Sequence, residues 1–479
     1  MIFKVVAAFG VGASGCPSSR IRREIRSIEA ETRERYFAAM GVMRRLSASE
    51  GRREYGPAFR TYLEILLKHF YAAADVRTDQ GHFSAGFFVF HRSLVLEFEN
   101  SVLAIDPKVG GLPYWDFDLD FEESPDDPSK SIVWSDDFFG PHHGDAENMF
   151  QIRSGPFADW KVPSGDWFQG PPRLDLNSGE IVHGVPSNPY GFLRGFANSN
   201  PAPGITRANQ VCGEKSEVYA GIARDAVAGC LNRTSYMEFF KCIDFGTNGG
   251  DGPHPFAHSW VGGSWGANDG NCSKKQLDTG ISDAINGCIA CFKTNCTGLK
   301  LEDCVCEISH DACERADQPN ATCQRFAGGD NGPGWLPTAP CKKCPECRRD
   351  SQMGAAGDFW DGLSSPNEPL FWSHHPNVDR IFMSWQLLVS GNESTPLPYS
   401  GFPPQGYGPG HNLHDVISST YPFYATDLLI DHHHHFDDEL TTKHPLTHAD
   451  VLEMTRPTTA SRGCAMGNAL YAYDRAVGV

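Results

Sequence analysis

No stretch of the chain approaches the roughly 18 consecutive apolar residues that a membrane-spanning helix needs. An excess of basic charge is also missing: 41 Lys and Arg stand against 59 Asp and Glu, a formal net charge of −18. That balance argues against nucleic acid or an anionic membrane as the main partner. There is no internal repeat and no low-complexity tract, so the chain does not read as an array of small units. Cysteine is absent from the whole interval between Cys16 and Cys212. Whatever chemistry that interval carries does not use a thiol.

What is present points to an ordered globular protein. The 479 residues are 40% hydrophobic and 11% aromatic, enough to bury a large core. The opening MIFKVVAAFGVGASGC places Lys4 before an apolar run from Val5 to Ala13, followed by small residues. This pattern predicts a secretory signal peptide over residues 1–15. Cysteine usage agrees, because 11 of the 16 cysteines fall between Cys272 and Cys347. In an exported chain such a cluster reads as disulfides. Sequons at Asn232, Asn271, Asn295, Asn320 and Asn392 are compatible with glycosylation. The expected location is therefore outside the cell or in a secretory lumen.

Periodicity predicts a mainly α fold. An exposed amphipathic helix is expected over IRREIRSIEAETRERYFAAMGVMRRL. A second is expected from Pro57, with Tyr62, Ile65, Leu66 and His69 on one face. A third should start near Ser84, as its cap, and run to Asn100, carrying His91, Leu94, Val95 and Phe98 on one side. Residues 107–252 read mostly as loops, with short helices over 216–229 and 235–244. Further helices are expected over 254–260 and from His375 through Gln386. The tail, 391–479, reads as irregular.

The histidines are spaced like metal ligands. His254 and His258 are four residues apart, so both imidazoles lie on one helical face and reach one metal. His375 and Asp379 repeat that spacing, and the carboxylate is placed to orient the helix end or an imidazole. In GHFSAGFFVFHRSLVLEFE, His82 and His91 are nine residues apart, which puts them on opposite sides of a continuous helix. They converge only if His82 sits on a loop ahead of the helix. His69, on the preceding helix, then offers a third nitrogen. Buried imidazoles need a hydrogen-bond partner or a metal.

Four stretches occur in order: HFSAGFFVFHRSLVLEFE, LPYWDF, HPFAHSWVGG and SPNEPLFWSHHPNVDRIFMSWQ. Together they resemble the tyrosinase family of type 3 dicopper proteins, which includes catechol oxidases and molluscan haemocyanin functional units. GPFADW and FLRGF resemble family landmarks as well. The resemblance implies a four-helix bundle holding two copper ions, within a domain over 16–390 interrupted by a cysteine-rich insert at 270–348. It implies His69, His82 and His91 as ligands of the first copper, and His254, His258 and His375 as ligands of the second. His374 is then a neighbour of the site, because the motif counts four residues from the ligand to Asp379.

By that resemblance the protein oxidises ortho-diphenols to ortho-quinones with O2 as co-substrate, and its partner is a small phenolic or catecholic molecule. Phe87, Phe88, Phe90, Phe371 and Trp372 are candidate pocket walls. Hydroxylation of monophenols is put in doubt by a departure from the family pattern. Many tyrosinases have an Asn after the first ligand of the second copper; here Pro255 stands there, with no amide side chain and no backbone donor. Asp244 is the counterpart of an upstream Glu that holds a water with that Asn. Other departures are Val89-Phe90 before the third ligand and Glu368 in the last motif. No cysteine is near enough to crosslink His82.

Two other readings compete with the oxidase. One is a haemocyanin-like carrier that binds oxygen reversibly; the other is a secreted matrix protein with an idle site. The insert carries C-x-x-C pairs that suit zinc, but disulfides are the expectation, in a surface subdomain near the site's mouth that gates access or binds a partner. His432 to His435, and His142 with His143, read as solvated loop residues.

Overall fold

In a computed structural model, the chain is described at residues 20–73, 79–164, 224–246, 252–265 and 355–390. It is also described over 188–215 apart from 189, 196, 197, 199, 212 and 213, and at 410–415, 417, 447–455, 470–475 and 477. Short strand segments at 173–174, 181–182, 322–326, 335–340, 458–459 and 466–467 complete the description. The expected signal peptide, the sequons other than Asn232, His432 to His435 and most of the cysteine-rich insert lie outside these residues. Within the insert, strands Thr322–Phe326 and Trp335–Pro340 pair antiparallel. Asn232 is exposed.

Among the described residues the fold is mainly α, as expected. Its helices are α1 (Ala30–Arg45), α2 (Ala48–Tyr55), α3 (Tyr62–Ala73), α4 (Phe87–Ile105), α5 (Asp118–Glu123), α6 (Arg224–Leu231), α7 (Tyr236–Phe245), α8 (Pro253–Gly262), α9 (Phe371–Ser390) and α10 (His448–Met454). Helices α3, α4, α8 and α9 carry the candidate ligands. Thr61 starts α3: its hydroxyl accepts the Glu64 amide at 3.1 Å, and the Glu64 carboxylate accepts the Thr61 amide at 2.7 Å. This reciprocal cap satisfies two donors that an α-helix start leaves unpaired.

Helix α4 is buried almost all round, as its continuous apolar sequence requires. Its two buried charges are paired: Arg92 with Asp379 of α9, and Glu99 with Arg22. The Phe98 and Trp372 rings stack at 3.8 Å between α4 and α9. The Trp372 indole donates to the Tyr62 hydroxyl, which in turn donates to the Pro366 carbonyl. The Pro- and Gly-rich region between α5 and α6 is tied back to the segment before α9 by two fully buried pairs, Arg194–Asp358 and Arg207–Glu368. Glu368, a departure in the sequence motif, thus fills an ion-pairing role.

Some helix boundaries differ from the sequence expectation. The first predicted helix begins nine residues late, at Ala30 rather than Ile21. Ile21–Arg22 is a strand, and Arg22 is fully buried between Glu99, Asp379 and the ring face of Tyr471; helical periodicity cannot foresee a buried guanidinium. Helix α4 starts at Phe87 with Gly86 as its cap, not Ser84.

The expectation of an irregular tail over 391–479 is also corrected. That segment holds α10 and a strand, Ala472–Tyr473, that pairs in parallel with Ile21–Arg22. A two-residue strand has no readable alternation, so only its partner reveals it.

Candidate metal centre

The histidines come together in two groups. Those of His69, His82 and His91 offer ligand atoms within 4.8 Å of one another, as do those of His254, His258, His374 and His375. His69 is on α3 and His91 on α4; His82 sits on the loop between those helices, the arrangement that the nine-residue spacing demanded. Helix α8 presents His254 and His258 one turn apart, their rings 4.8 Å from each other. Pro253 and Pro255 are tolerated there because amides in the first turn have no intrahelical acceptor.

The two groups face each other. The His91 and His375 rings stack at 4.1 Å with an interplanar angle of 6°. His374 points elsewhere, packing against Trp115 and Phe117 while remaining 4.9 Å from the His258 ring. The sequence argument makes His375 the ligand and His374 its neighbour; the structure brings both into the second group and only His375 against the first.

Five of the six candidate ligand rings are oriented through Nδ1. His69 donates to the Leu363 carbonyl at 3.0 Å, His91 to Phe87 at 2.9 Å and His258 to Phe359 at 2.6 Å. His82 and His254 use carboxylates instead: Asp79 at 3.0 Å and Asp244 at 3.0 Å. A carbonyl or carboxylate accepts, so Nδ1 carries the proton and Nε2 presents a lone pair. The Nε2 atoms of His69, His91 and His254 are buried with no hydrogen-bond partner, and so are both nitrogens of His374 and His375. Leaving one such buried group unsatisfied costs about 1–3 kcal/mol. One metal ion in each group would satisfy the Nε2 atoms of the rings that bind it, and the neutral-imidazole donor set suits copper or zinc.

Electrostatics agrees. Burial, and then the neighbouring imidazoles, hold His69, His91, His254, His258, His374 and His375 well below the ordinary histidine range. Neutral rings are the form that binds metal. His82 is the exception. Burial pulls it down, but the adjacent Asp79 carboxylate outweighs burial and raises it.

The carboxylates expected from sequence are at the site, with altered duties. Asp244, expected to hold a water, has Oδ1 on the His254 ring. Asp379 does not contact the His375 ring; it binds Arg92, Arg22, Tyr471 and Tyr473. That corrects its expected role as an imidazole partner: one turn further along α9 than His375, it lies level with the buried Arg22 and Arg92 guanidiniums, which take up its oxygens. Sequence reasoning did not single out Asp79. Its position three residues before His82 was the available signal, since Asp commonly accepts amides two and three residues on, here those of Gly81 and His82. Phe83, next in the chain, has φ 58°, a left-handed conformation that costs a bulky residue energy and marks a constrained loop.

Of the candidate wall aromatics, Phe87 lies 4.5 Å from His254 and 4.8 Å from His91, and Phe371 lies 4.2 Å from His375. Phe90 edges His91 at 5.0 Å. Phe88 and Trp372 instead stack on Phe382 and Phe98, in the core. His142 is not a solvated loop residue; it is buried between Trp134 and Trp260.

Comparison with known proteins places this arrangement. A tyrosinase from Streptomyces antibioticus is 31% identical over 147 residues, covering 31% of this chain and 46% of the relative. Grixazone synthase from Streptomyces griseus subsp. griseus is 35% identical over 106 residues, 22% of this chain and 31% of that enzyme. The chain therefore spans about half the length, or less, of these curated relatives. Among solved structures, a mutant polyphenol oxidase from Thermothelomyces thermophila shares 18% identity with a TM-score of 0.43, covering 83% of this chain and 82% of its own. An octopus hemocyanin functional unit shares 14% identity with a TM-score of 0.37, covering 95% of this chain and 68% of its own. The model of the common central domain of tyrosinase matches residues 59–275 and 335–388, more than half of the chain and all of the histidines above, and the chain belongs to the tyrosinase family.

Proposed function

We propose that the protein is a secreted copper oxidase that converts ortho-diphenols to ortho-quinones at the expense of O2. The tyrosinase family implies a dinuclear copper centre. The observation that carries the reading is the pair of facing histidine groups whose buried Nε2 atoms lack any partner. His69, His82 and His91 would hold the first copper, and His254, His258 and His375 the second. The coppers supply the route by which electrons leave the substrate and reach oxygen. Two catechols each lose two electrons and two protons, and one O2 becomes two waters.

The chain's own contribution is geometry and exclusion of water. Five of the six rings are fixed through Nδ1 by a carbonyl or a carboxylate, so ligand atoms need little rearrangement when metal binds. Phe87 and Phe371 flank the space between the groups and offer flat apolar faces to an aromatic ring. Pro255 supplies neither a side-chain amide nor a backbone donor beside His254. Asp244, the carboxylate suited to holding a water, spends one oxygen on that imidazole. Both features favour catechol oxidation over phenol hydroxylation.

Secretion is supported by the Cys230–Cys242 disulfide joining α6 to α7, since such bonds persist in oxidising compartments. No helix among the described residues is long and apolar enough to cross a membrane.

The test is oxygen uptake by copper-loaded protein given a monophenol and its matching catechol. Uptake with the catechol alone is expected. Equal uptake with the monophenol overturns the diphenol restriction. Reversible oxygen binding without turnover of either substrate favours the carrier.

A further inference from the structure

The loop that presents His82 is fastened from a part of the chain beyond α9, outside the matched family regions, which end at residue 388. The loop runs from Asp79 to Gly86. Inside it, the Asp79 carboxylate accepts from the Gly81 and His82 amides at 2.8 and 2.9 Å and from the His82 ring. Outside it, a single imidazole bridges both ends. His411 Nε2 donates to the Asp79 carbonyl at 2.5 Å, and His411 Nδ1 accepts from the Gly86 amide at 3.0 Å. His411 is buried, and both of its ring nitrogens are used.

The fit leaves no slack. A Cβ on Gly86 would meet the Gly410 carbonyl at 2.4 Å and His411 Nδ1 at 2.9 Å. Gly410 has φ +85°, and a Cβ there would meet the Gln80 side chain at 2.8 Å. His411 is itself held in place. The Gly410 carbonyl accepts from His448 Nε2 at 2.8 Å, and the Asp415 carboxylate accepts from the Gly410 and Asn412 amides at 2.9 and 3.0 Å. Helix α10, which begins at His448, is joined to α4 where Arg92 donates to Thr455 at 2.9 Å. The brace is thus anchored on the helix that carries His91.

We propose that His411 is a positioning residue for the first metal: the segment Gly410–Asp415 straps the Asp79–Gly86 loop in the conformation that points His82 at His69 and His91. The proposal rests on the copper reading of the site. His82 is the one candidate ligand of the first group on a loop rather than a helix, and its neighbour Phe83 holds a positive φ. Helix backbone hydrogen bonds fix the main chain at His69 and His91; the loop at His82 has no such ladder and needs an external support. Outer partners that orient a metal ligand change metal affinity by about 10- to 100-fold when removed.

Hydrogen exchange on the metal-free protein comes first, because it reads the strap without any metal. In His411→Ala, the amides of residues 79–86 should exchange at least tenfold faster, while those of α8 keep the wild-type rate. Unchanged exchange at 79–86, or a uniform rise over the whole chain, overturns the strap. Copper affinity is then read by equilibrium dialysis in two backgrounds. With His254→Ala, only the first site remains, and adding His411→Ala should weaken its copper by tenfold or more. With His82→Ala, the second site remains, and its affinity should not respond to His411→Ala. Equal weakening in both backgrounds shows general damage and overturns the proposal. His411→Gln, which can still donate and accept, should recover most of the first-site affinity; if His411→Ala does not fold, His411→Leu, which fills the site but can neither donate nor accept, replaces it in every comparison. A wild-type chain that takes up no copper overturns the proposed function and the metal half of this proposal, while the exchange result still decides the strap.

Discussion

Arg92 donates from Nε to Asp379 Oδ1 at 2.5 Å, inside the core, and so joins α4 to α9. The contact matters because His91 precedes Arg92, and His375 lies one turn before Asp379. The same carboxylate accepts from Arg22, Tyr471 and Tyr473. One side chain thus gathers the start of the described chain, its end and two ligand-bearing helices.

Replacing Asp379 by Ala should therefore be severe. It strands the buried Arg92 guanidinium and takes one of two carboxylates from Arg22, and removal of one member of a buried ion pair costs about 3–5 kcal/mol. Urea unfolding of the metal-free protein should show that loss. A midpoint within error of wild type would refute the central role given to this carboxylate.

The adjacent histidines should separate cleanly. His375→Ala should remove the second copper, because its ring is the one stacked on His91. His374→Ala should retain two coppers per chain. Elemental analysis after dialysis decides between them. One copper lost in His374→Ala and none in His375→Ala would reverse the assignment.

Asp244→Asn should weaken the second copper about 10- to 100-fold and leave the first unchanged. An Asn can turn its NH2 toward the ring and no longer fixes the Nδ1–H tautomer of His254. Competition with a copper chelator measures this. An affinity equal to wild type would show that the Oδ1–Nδ1 contact does not orient the ligand.

Stability of the metal-free protein should fall on acidification. Burial, first among the causes, lowers His142, His411 and His448, the last to about 3. In the unfolded chain these groups titrate near 6.5. Below that pH the unfolded state binds protons that the folded state refuses, so stability decreases as pH drops. For His448 the window runs from about 6.5 down to about 3. Each group contributes up to about 1.4 kcal/mol per pH unit. Urea midpoints at neutral pH and one unit below 6.5 provide the check; equal midpoints would contradict burial of neutral imidazoles.

The sequence by itself determined the helical elements with strong periodicity and the family. Runs such as YLEILLKHFYAA and FFVFHRSLVLEFE must bury apolar faces, and the i, i+4 spacing of His254 and His258 fixes them on one side of α8. It also required His82 to leave the helix, because nine residues at 3.6 per turn point a side chain away from His91. Those are local constraints, set by geometry within a few turns. Only the tertiary structure decided which buried charges meet. Nothing near Asp379 in sequence announces Arg22 or Tyr473, and nothing near His82 announces His411, more than 300 residues on. Such pairs form where desolvated charges and loop ends find partners across the fold. That choice depends on the packing of whole elements, which no local period encodes.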